Sequence, residues 1–459
     1  MRRSVAAIAG VLAVWYAALA TQFDFRLLTG QPTAMVFNAM LASLLDGRFD
    51  VPPDPIGLEG FLRDGHIYAY FGILPALLRL PLLLVPDGLA INVNRLSVVI
   101  AAVFALYWQL RAIGAVYVAV AGNRIAERLL LCLAVGAMLG GPNVQFLNPS
   151  VYIEAIGWAG AFAAMFVACA AIGLTSPTGF NSTLFNRMAL AAGLALITRV
   201  STGVGLYAAL GLLMLWHSWP GRMAPVAWLR AMLAPRMLVA LAILVAFLAA
   251  TLGVNWARWG NPFTVMDVRL HIMNIRYPER MARVVATGEF NVGRLWFGLM
   301  YYFAPIWFLY PPGGNLLFAD YAQRLVETEL PPGSFLLSDP LLLILGAMFL
   351  AQAWRRRREC AATLALAAGL LLPILLMLTM IFMNFRYRPE FYPFLTLIAL
   401  AGVLALARHG GGERLARWAW PLTLTGVLFA HFQLFLHMLS DPGPAGLRQV
   451  QSFLKHLGF

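Results

Sequence analysis

Eleven apolar stretches alternate with polar ones along the chain, at roughly residues 4–21, 90–111, 128–143, 152–173, 187–198, 200–216, 237–256, 337–354, 361–383, 391–408 and 418–438. Hydrocarbon offers backbone N–H and C=O groups no partner, so each stretch is predicted to be a helix that closes on its own hydrogen bonds. Residues 187–198 and 200–216 are short and meet at Thr198-Arg199, which predicts a bent pair touching the outer surface. Three further apolar stretches suit the membrane surface better than its centre. Residues 70–86 carry Pro75, Arg79 and Pro81 in a run too short to span and are predicted to form a helix lying in the outer interface. Residues 33–45 have helical spacing of apolar positions and should also lie flat. Residues 294–318 are rich in Trp, Tyr and Phe but broken by Pro305 and Pro311-Pro312-Gly313-Gly314, which fits an interfacial or re-entrant element. The expected fold class is therefore all-α integral membrane, with about eleven transmembrane helices and interfacial helices in two large outer segments, 22–89 and 257–336. With no repeat, linker or low-complexity tail, residues 1–459 are expected to form a single polytopic membrane domain without a separate soluble one. Met1-Arg2-Arg3 before Ser4–Ala20 has the look of a signal peptide, yet the long apolar run and the spans that follow favour a retained first span.

Composition agrees with this pattern. The 459 residues are 61% hydrophobic and 12% charged, with a mean hydropathy of +0.76 and a pI near 10.1. Charge then sets the orientation. With the N-terminus cytoplasmic, the inner loops hold 16 of the 33 Lys and Arg and only 3 of the 20 Asp and Glu, leaving 17 of each outside. Lys and Arg are retained on the cytoplasmic side during insertion, whereas acids count for little. The protein is thus expected in the cytoplasmic (inner) membrane, with its active site and the C-terminal residues 439–459 on the outer, periplasmic side. Arg-rich inner loops facing anionic lipid account for the basic pI, so membrane lipid is the expected partner and nucleic acid is not. Cys132 and Cys169 fall inside spans and Cys360 at the inner surface, which excludes an outer-loop disulfide and any Cys/His zinc spacing.

The acids, and with them any acid/base catalyst, gather outside. Six carboxylates occupy about forty residues after the first span, among them Asp24, Asp50 and Asp64, with His66 close by. Held between membrane-pinned helices, such groups can place a general base at the lipid boundary, although Asp-Gly and Pro-Asp-Pro also simply make turns. Asp24 is set apart by its place directly after a span, between Phe23 and Phe25 and two residues from Arg26. Arginines form a second constellation: Arg199 at the corner of the short pair, Arg258 at the end of 237–256, and Arg386 and Arg388 just before 391–408. Guanidinium groups above the hydrocarbon suit bidentate hydrogen bonding to phosphate; they also snorkel to head groups or pair with acids such as Glu390. Glu154, at the outer start of its span, is a further candidate, and equally a helix N-terminus that favours a carboxylate.

The order of these features, a span, an acidic outer segment, an Arg-bearing hairpin, then Asn255-Trp256-Ala257-Arg258-Trp259-Gly260-Asn261-Pro262-Phe263 and a late Arg386-Tyr387-Arg388-Pro389-Glu390, resembles the bacterial GT-C superfamily. Its members are integral-membrane glycosyltransferases related to protein O-mannosyltransferases and to the aminoarabinose transferases of lipid A. The stretch from Asp64 to Leu78, through Tyr68 into a Pro-containing apolar run, is similar to the segment that follows the family's first loop acids. The resemblance covers most of the chain. It implies a polyprenyl-phosphate sugar as donor, transfer to an acceptor on the outer face, Asp24 as the base, and Arg386 directed at the donor phosphate with Arg388 or Arg199 assisting. Relatives often carry a second acid here, where this chain reads Thr29-Gly30-Gln31-Pro32. Without that acidic pair a divalent metal has no evident holder, and no cofactor or metal is assigned.

The resulting expectation is an inverting glycosyltransferase in which Asp24 deprotonates the attacking hydroxyl. A surface-polysaccharide polymerase or ligase would use the same outer arginines. A transporter or flippase of lipid-linked glycans would instead carry ionisable residues at mid-membrane and often internal repeats, and a scaffold would need neither.

Overall fold

The computed structural model describes residues 2–218, 234–304, 325–329 and 333–439. Eleven helices of 15 residues or more organise them: α1 (Arg2–Ala20), α2 (Asn94–Ala119), α3 (Arg124–Leu139), α4 (Val151–Thr175), α5 (Ser182–Leu196), α6 (Val200–Ser218), α7 (Pro235–Trp259), α8 (Pro340–Arg355), α9 (Ala361–Thr379), α10 (Tyr392–His409) and α11 (Glu413–Leu439). Eight of them, α3 being counted with the residues that follow it to Phe146, are long and apolar enough to cross a membrane, with α1, α5 and α8 falling short of that standard. The protein is an all-α, multi-pass membrane protein. Its boundaries follow local chemistry. The side chains of Asn123, Ser150 and Asn181 accept from the third backbone N–H beyond them and so start α3, α4 and α5. Pro235 opens α7 and Gly260, in the left-handed region at φ 69°, closes it.

The main core lies between helices. α2 packs on α4, α6 on α9 and α8 on α10. Close approach needs small residues: a Cβ on Gly369 of α9 would come within 2.1 Å of the Ala209 backbone of α6. Chain ends sort into two faces. One face gathers the C-terminal ends of the odd-numbered helices and the starts of the even-numbered ones, as the Tyr16 to Met138 hydrogen bond (2.8 Å) joining α1 to α3 illustrates. It carries both long segments. On the opposite face lie Arg124, Arg128, Arg187, Arg355 to Arg358 and Arg414; Arg222, Arg230 and the tail 440–459 lie outside the described residues.

The long segments fold differently from the surface helices expected of them. The helix in 33–45 forms over Val36–Leu45, but its apolar side is covered by protein rather than offered to lipid: Phe37 meets Phe71 at 5.6 Å, and Asn38 donates to the Leu89 and Ile91 carbonyls. Residues 70–86 make only two short turns, Leu74–Leu77 and Leu80–Leu84, because Pro75 and Pro81 interrupt any longer helix. Arg79 between them does not snorkel. It is buried in a two-point pair with Glu154. Of 294–318, Leu295–Phe303 is a helix against the end of α9, and 305–324 lie outside the described residues. The segments also form a ten-residue helix, Pro278–Thr287, several shorter helical turns and two small sheets, an antiparallel pair Phe61–Arg63 with His66–Tyr68 and a parallel pair Glu327–Thr328 with Phe382–Met383.

Candidate functional site

A cavity of about 660 Å³ opens where helix ends meet the two long segments. The ends of α5, α6, α7 and α9 and the residues beside them bring Leu196, Val204, Val254, Leu376 and Met380 to its lining, with Ser201, Thr251 and Asn255 among them. Polar and aromatic groups reach it from the long segments and α4: Glu59 and Tyr70 from the first segment, Tyr152 at the start of α4, and His271 and Glu289 from the second. Arg199, Arg258, Arg280 and Arg386 line it.

Each of three arginines is aimed by local geometry. α5 stops at Leu196, and the Thr198 hydroxyl donates to the Leu194 carbonyl (2.6 Å), turning the chain so that Arg199 projects from the corner. Arg199 Nε donates to the Glu390 carboxylate, and its guanidinium lies 4.9 Å from the Tyr387 ring centre. Arg258, in the last turn of α7, is buried; Nη1 donates to the Phe71 carbonyl (2.8 Å) and Nε has no protein partner. Arg386 lies on the 3₁₀ turn Phe385–Glu390, its guanidinium 3.7 Å from the Tyr152 ring centre, with Nε again lacking a partner. Burial works against the Arg386 charge, but the Glu329 carboxylate together with Tyr152, Tyr387 and Tyr70 more than offsets it. Buried guanidinium N–H groups left without an acceptor are costly, and an anion in the cavity would supply one to Arg258 and Arg386.

Arg388 does not join them. A 3₁₀ turn has three residues per turn, so positions two apart point to different sides. Arg388 is buried away from the cavity, donating to Gln145 Oε1 and Ser338 Oγ at 2.6 Å each, 3.7 Å from Asp339 and sandwiched by Phe335 and Phe385. Its role is to lock the turn that presents Arg386.

The acids singled out in the sequence also lie off the cavity lining. Asp24 lies between residues of positive φ, Gln22 and Phe23 before it and Phe25 after it, and its carboxylate accepts from the Arg26 backbone N–H (2.7 Å) and pairs with Arg95 (3.2 Å). Those contacts, the Arg26 N–H foremost, hold its carboxyl below the usual range. Asp64 and Gly65, at φ 52° and 80°, form the two-residue turn of the hairpin, with Asp64 81% exposed beside Arg63. Asp50 is held by Arg48 (3.0 Å) and His66 (3.2 Å); burial raises its carboxyl pKa, and the two partners bring it below normal. Glu154 is fully buried, its oxygens taken by Arg79 and by Asn94 Nδ2 (2.7 Å). Among the described residues no group of three His, Cys, Asp or Glu is placed to hold a metal ion.

Sequence reasoning missed Glu59, His271 and Glu289. Glu59 was legible only as one more acid in Gly57-Leu58-Glu59-Gly60, and nothing in spacing links it to His271, over two hundred positions away, whose Nε2 lies 3.7 Å from its carboxylate.

No family model matches the chain, and no curated protein matches it. Among solved structures it is similar to the oligosaccharyltransferase of Archaeoglobus fulgidus in the apo form, at 15% identity and a TM-score of 0.44 over 98% of this chain and 59% of that one. The same enzyme tethered with an acceptor peptide containing the NVT sequon aligns at 13% identity and 0.43, over 97% and 58%. The archaeal oligosaccharyltransferase AglB, in complex with an inhibitory peptide and a dolichol-phosphate, aligns at 14% and 0.41, over 97% and 58%. The chain spans less than three fifths of these proteins' length.

Proposed function

We propose that this protein is a glycosyltransferase that moves a sugar from a polyprenyl-phosphate donor to an acceptor on the outer face of the cytoplasmic membrane. The observation that carries the reading is the cavity, whose lining combines apolar side chains such as Val254 and Leu376 with Arg199, Arg258 and Arg386. Such a surface suits an amphiphile with an anionic head: isoprene units against Val254 and Leu376, phosphate at the guanidinium groups. At about 660 Å³ the cavity takes the head group and the beginning of the tail, within the roughly 300–1,000 Å³ usual for small-molecule sites. As the bond from the anomeric carbon to phosphate breaks, charge builds on the departing phosphate. Fixed cations in a water-poor site stabilise that change more than they stabilise the bound donor, which is the condition for catalysis. A flippase would need polar groups along a path through the membrane, whereas here the cations sit at the helix ends.

Binding tests the reading directly. Undecaprenyl phosphate should be retained by the purified protein in native mass spectrometry where undecaprenol is not, and Arg258→Ala should weaken retention roughly tenfold, a typical loss for one charge-assisted contact. Equal retention of the alcohol would remove phosphate recognition.

Orientation is tested by labelling. In a background lacking the native cysteines, Asp64→Cys should react with an impermeant maleimide in intact cells, and Thr178→Cys, exposed between α4 and α5, should react only after lysis. The reverse pattern would put the cavity in the cytoplasm.

A further inference from the structure

We infer that Glu59, oriented by His271 across the two long segments, is the general base of the transfer, in place of Asp24; this rests on the glycosyl-transfer reading of the cavity. Glu59 and Glu289 are the carboxylates of the described residues that line it. Glu59 stands on the same wall as the phosphate-binding cation: Tyr152, whose ring carries the Arg386 guanidinium at 3.7 Å, also turns its hydroxyl toward the Glu59 carboxylate. A base there and a leaving phosphate at Arg386 would flank one small volume, which is where an anomeric carbon has to be.

His271 is fixed relative to Glu59 through the backbone. The Ile272 N–H donates to the Gly60 carbonyl (2.9 Å), Phe61 and His271 pair as a bridge, and their rings stack at 4.8 Å. Gly60 permits this clasp, since a Cβ there would come within 2.5 Å of Ile67 and 3.2 Å of Ile272. The second segment thereby completes a site begun by the first. His271 is a positioning residue, and Glu59 the group that meets the acceptor.

The groups facing Glu59 are His271 from the second segment, Tyr152 from α4, Tyr70 from the first segment and Arg386 from the turn before α10. Burial raises the Glu59 carboxyl pKa, but the hydrogen bonds from His271 and Tyr152 and the charges of His271 and Arg386 outweigh it and leave it below the usual glutamate range. Glu59 is thus a carboxylate with room for a proton at neutral pH. Glu289 is pushed the other way, by burial first and then by Asp267. A carboxylate is a weak base, but the acceptor hydroxyl becomes acidic as its oxygen bonds to an electron-poor anomeric carbon, so a late proton transfer to Glu59 suffices. In the step the acceptor oxygen forms the new bond to that carbon while its proton passes to Glu59. The bond from the carbon to the phosphate oxygen breaks and leaves its electron pair on the phosphate, facing Arg386 and Arg258. Glu59 then returns the proton to water.

The experiment uses the full chain in lipid nanodiscs with a panel of undecaprenyl-phosphate donors bearing radiolabelled glucose, galactose, mannose or arabinose, and an extract of the host envelope as acceptor. Turnover is followed with whichever donor the wild type uses. Glu59→Gln should lower kcat roughly 10²-fold or more, while undecaprenyl phosphate binds as well or better, because a negative charge beside Arg386 is gone. Asp50→Asn should behave as wild type. His271→Gln should keep binding but move the acidic limb of the kcat profile to higher pH, since removing the cation lets the Glu59 pKa rise and its proton-free form is lost sooner as pH falls. Wild-type kcat in Glu59→Gln with loss in Asp24→Asn would return the base to Asp24 and overturn the assignment. Loss of binding together with turnover in Glu59→Gln would overturn it too, by showing a structural role. Failure of the wild-type protein to bind undecaprenyl phosphate would be a different result, ending the reading of the cavity itself.

Discussion

Arg386→Ala should lower turnover roughly 10²- to 10³-fold, the loss expected when one preorganised donor to a developing charge is removed. Arg386→Lys should recover little of it. The planar guanidinium lies over the Tyr152 ring at 3.7 Å, so one face is committed to stacking while Nε, which has no protein partner, is left to donate to phosphate. An ammonium on a flexible stem neither stacks as well nor offers parallel N–H groups. Arg388 provides the contrast. Arg388→Lys breaks the contacts to Gln145 and Ser338 and should reduce thermal stability as well as rate, whereas Arg386→Lys should reduce rate alone. Initial rates with a labelled polyprenyl-phosphate donor, beside thermal unfolding in the same nanodiscs, separate the two. Full activity in Arg386→Ala would remove that residue from the mechanism.

The helices were legible in the sequence because lipid leaves an apolar run of that length one solution, and even the corner at Ile197–Arg199 followed from a polar pair between two short runs. Several ends were overdrawn, 90–111 at its start and 128–143 at its end among them. Residues 361–383 read as a single apolar stretch, but α9 stops at Thr379, since Phe382 and Met383 pair with Glu327 and Thr328 from the second segment. That partner lies over fifty residues away and leaves no local trace. The arginines at helix ends were likewise legible, and three of the four named from sequence line one cavity. Arg388 was not separable from Arg386, because which side of a short 3₁₀ turn faces a cavity depends on what packs behind it, here Phe335 and Phe385. The acids were least legible. Asp24 attracted attention by its position, yet Arg95 and the Arg26 N–H already occupy its carboxylate. Glu59 drew none, because what distinguishes it is supplied by His271 from another segment.

The buried pair in the first segment yields the largest expected effect on stability. Arg79→Met should destabilise the fold by about 3–5 kcal/mol, the usual consequence of removing one partner from a buried ion pair and leaving the other charge unmatched. Arg79 is 2% exposed and Glu154 fully buried; Arg79 Nη2 lies 2.8 Å from Glu154 Oε2, and the surrounding polar atoms complete the site. Asn38 Oδ1 accepts from Arg79 Nε at 3.2 Å, Asn94 Nδ2 donates to Glu154 at 2.7 Å, and Ser97, which accepts from Trp158 Nε1 at 2.9 Å, closes the cluster. Arg79→Met combined with Glu154→Gln should regain most of the loss, because no charge then remains buried. Denaturant or thermal unfolding in nanodiscs measures both, and an Arg79→Met variant within about 0.5 kcal/mol of wild type, the range of an ordinary surface change, would contradict the account. Function is coupled to this pair through one turn of helix. Glu154 fixes the start of α4, and Tyr152, two residues earlier, carries Arg386 on its ring and turns its hydroxyl toward Glu59. The double variant should therefore fold nearly as well as wild type yet transfer sugar more slowly, since α4 would no longer be anchored where the cation and the base meet.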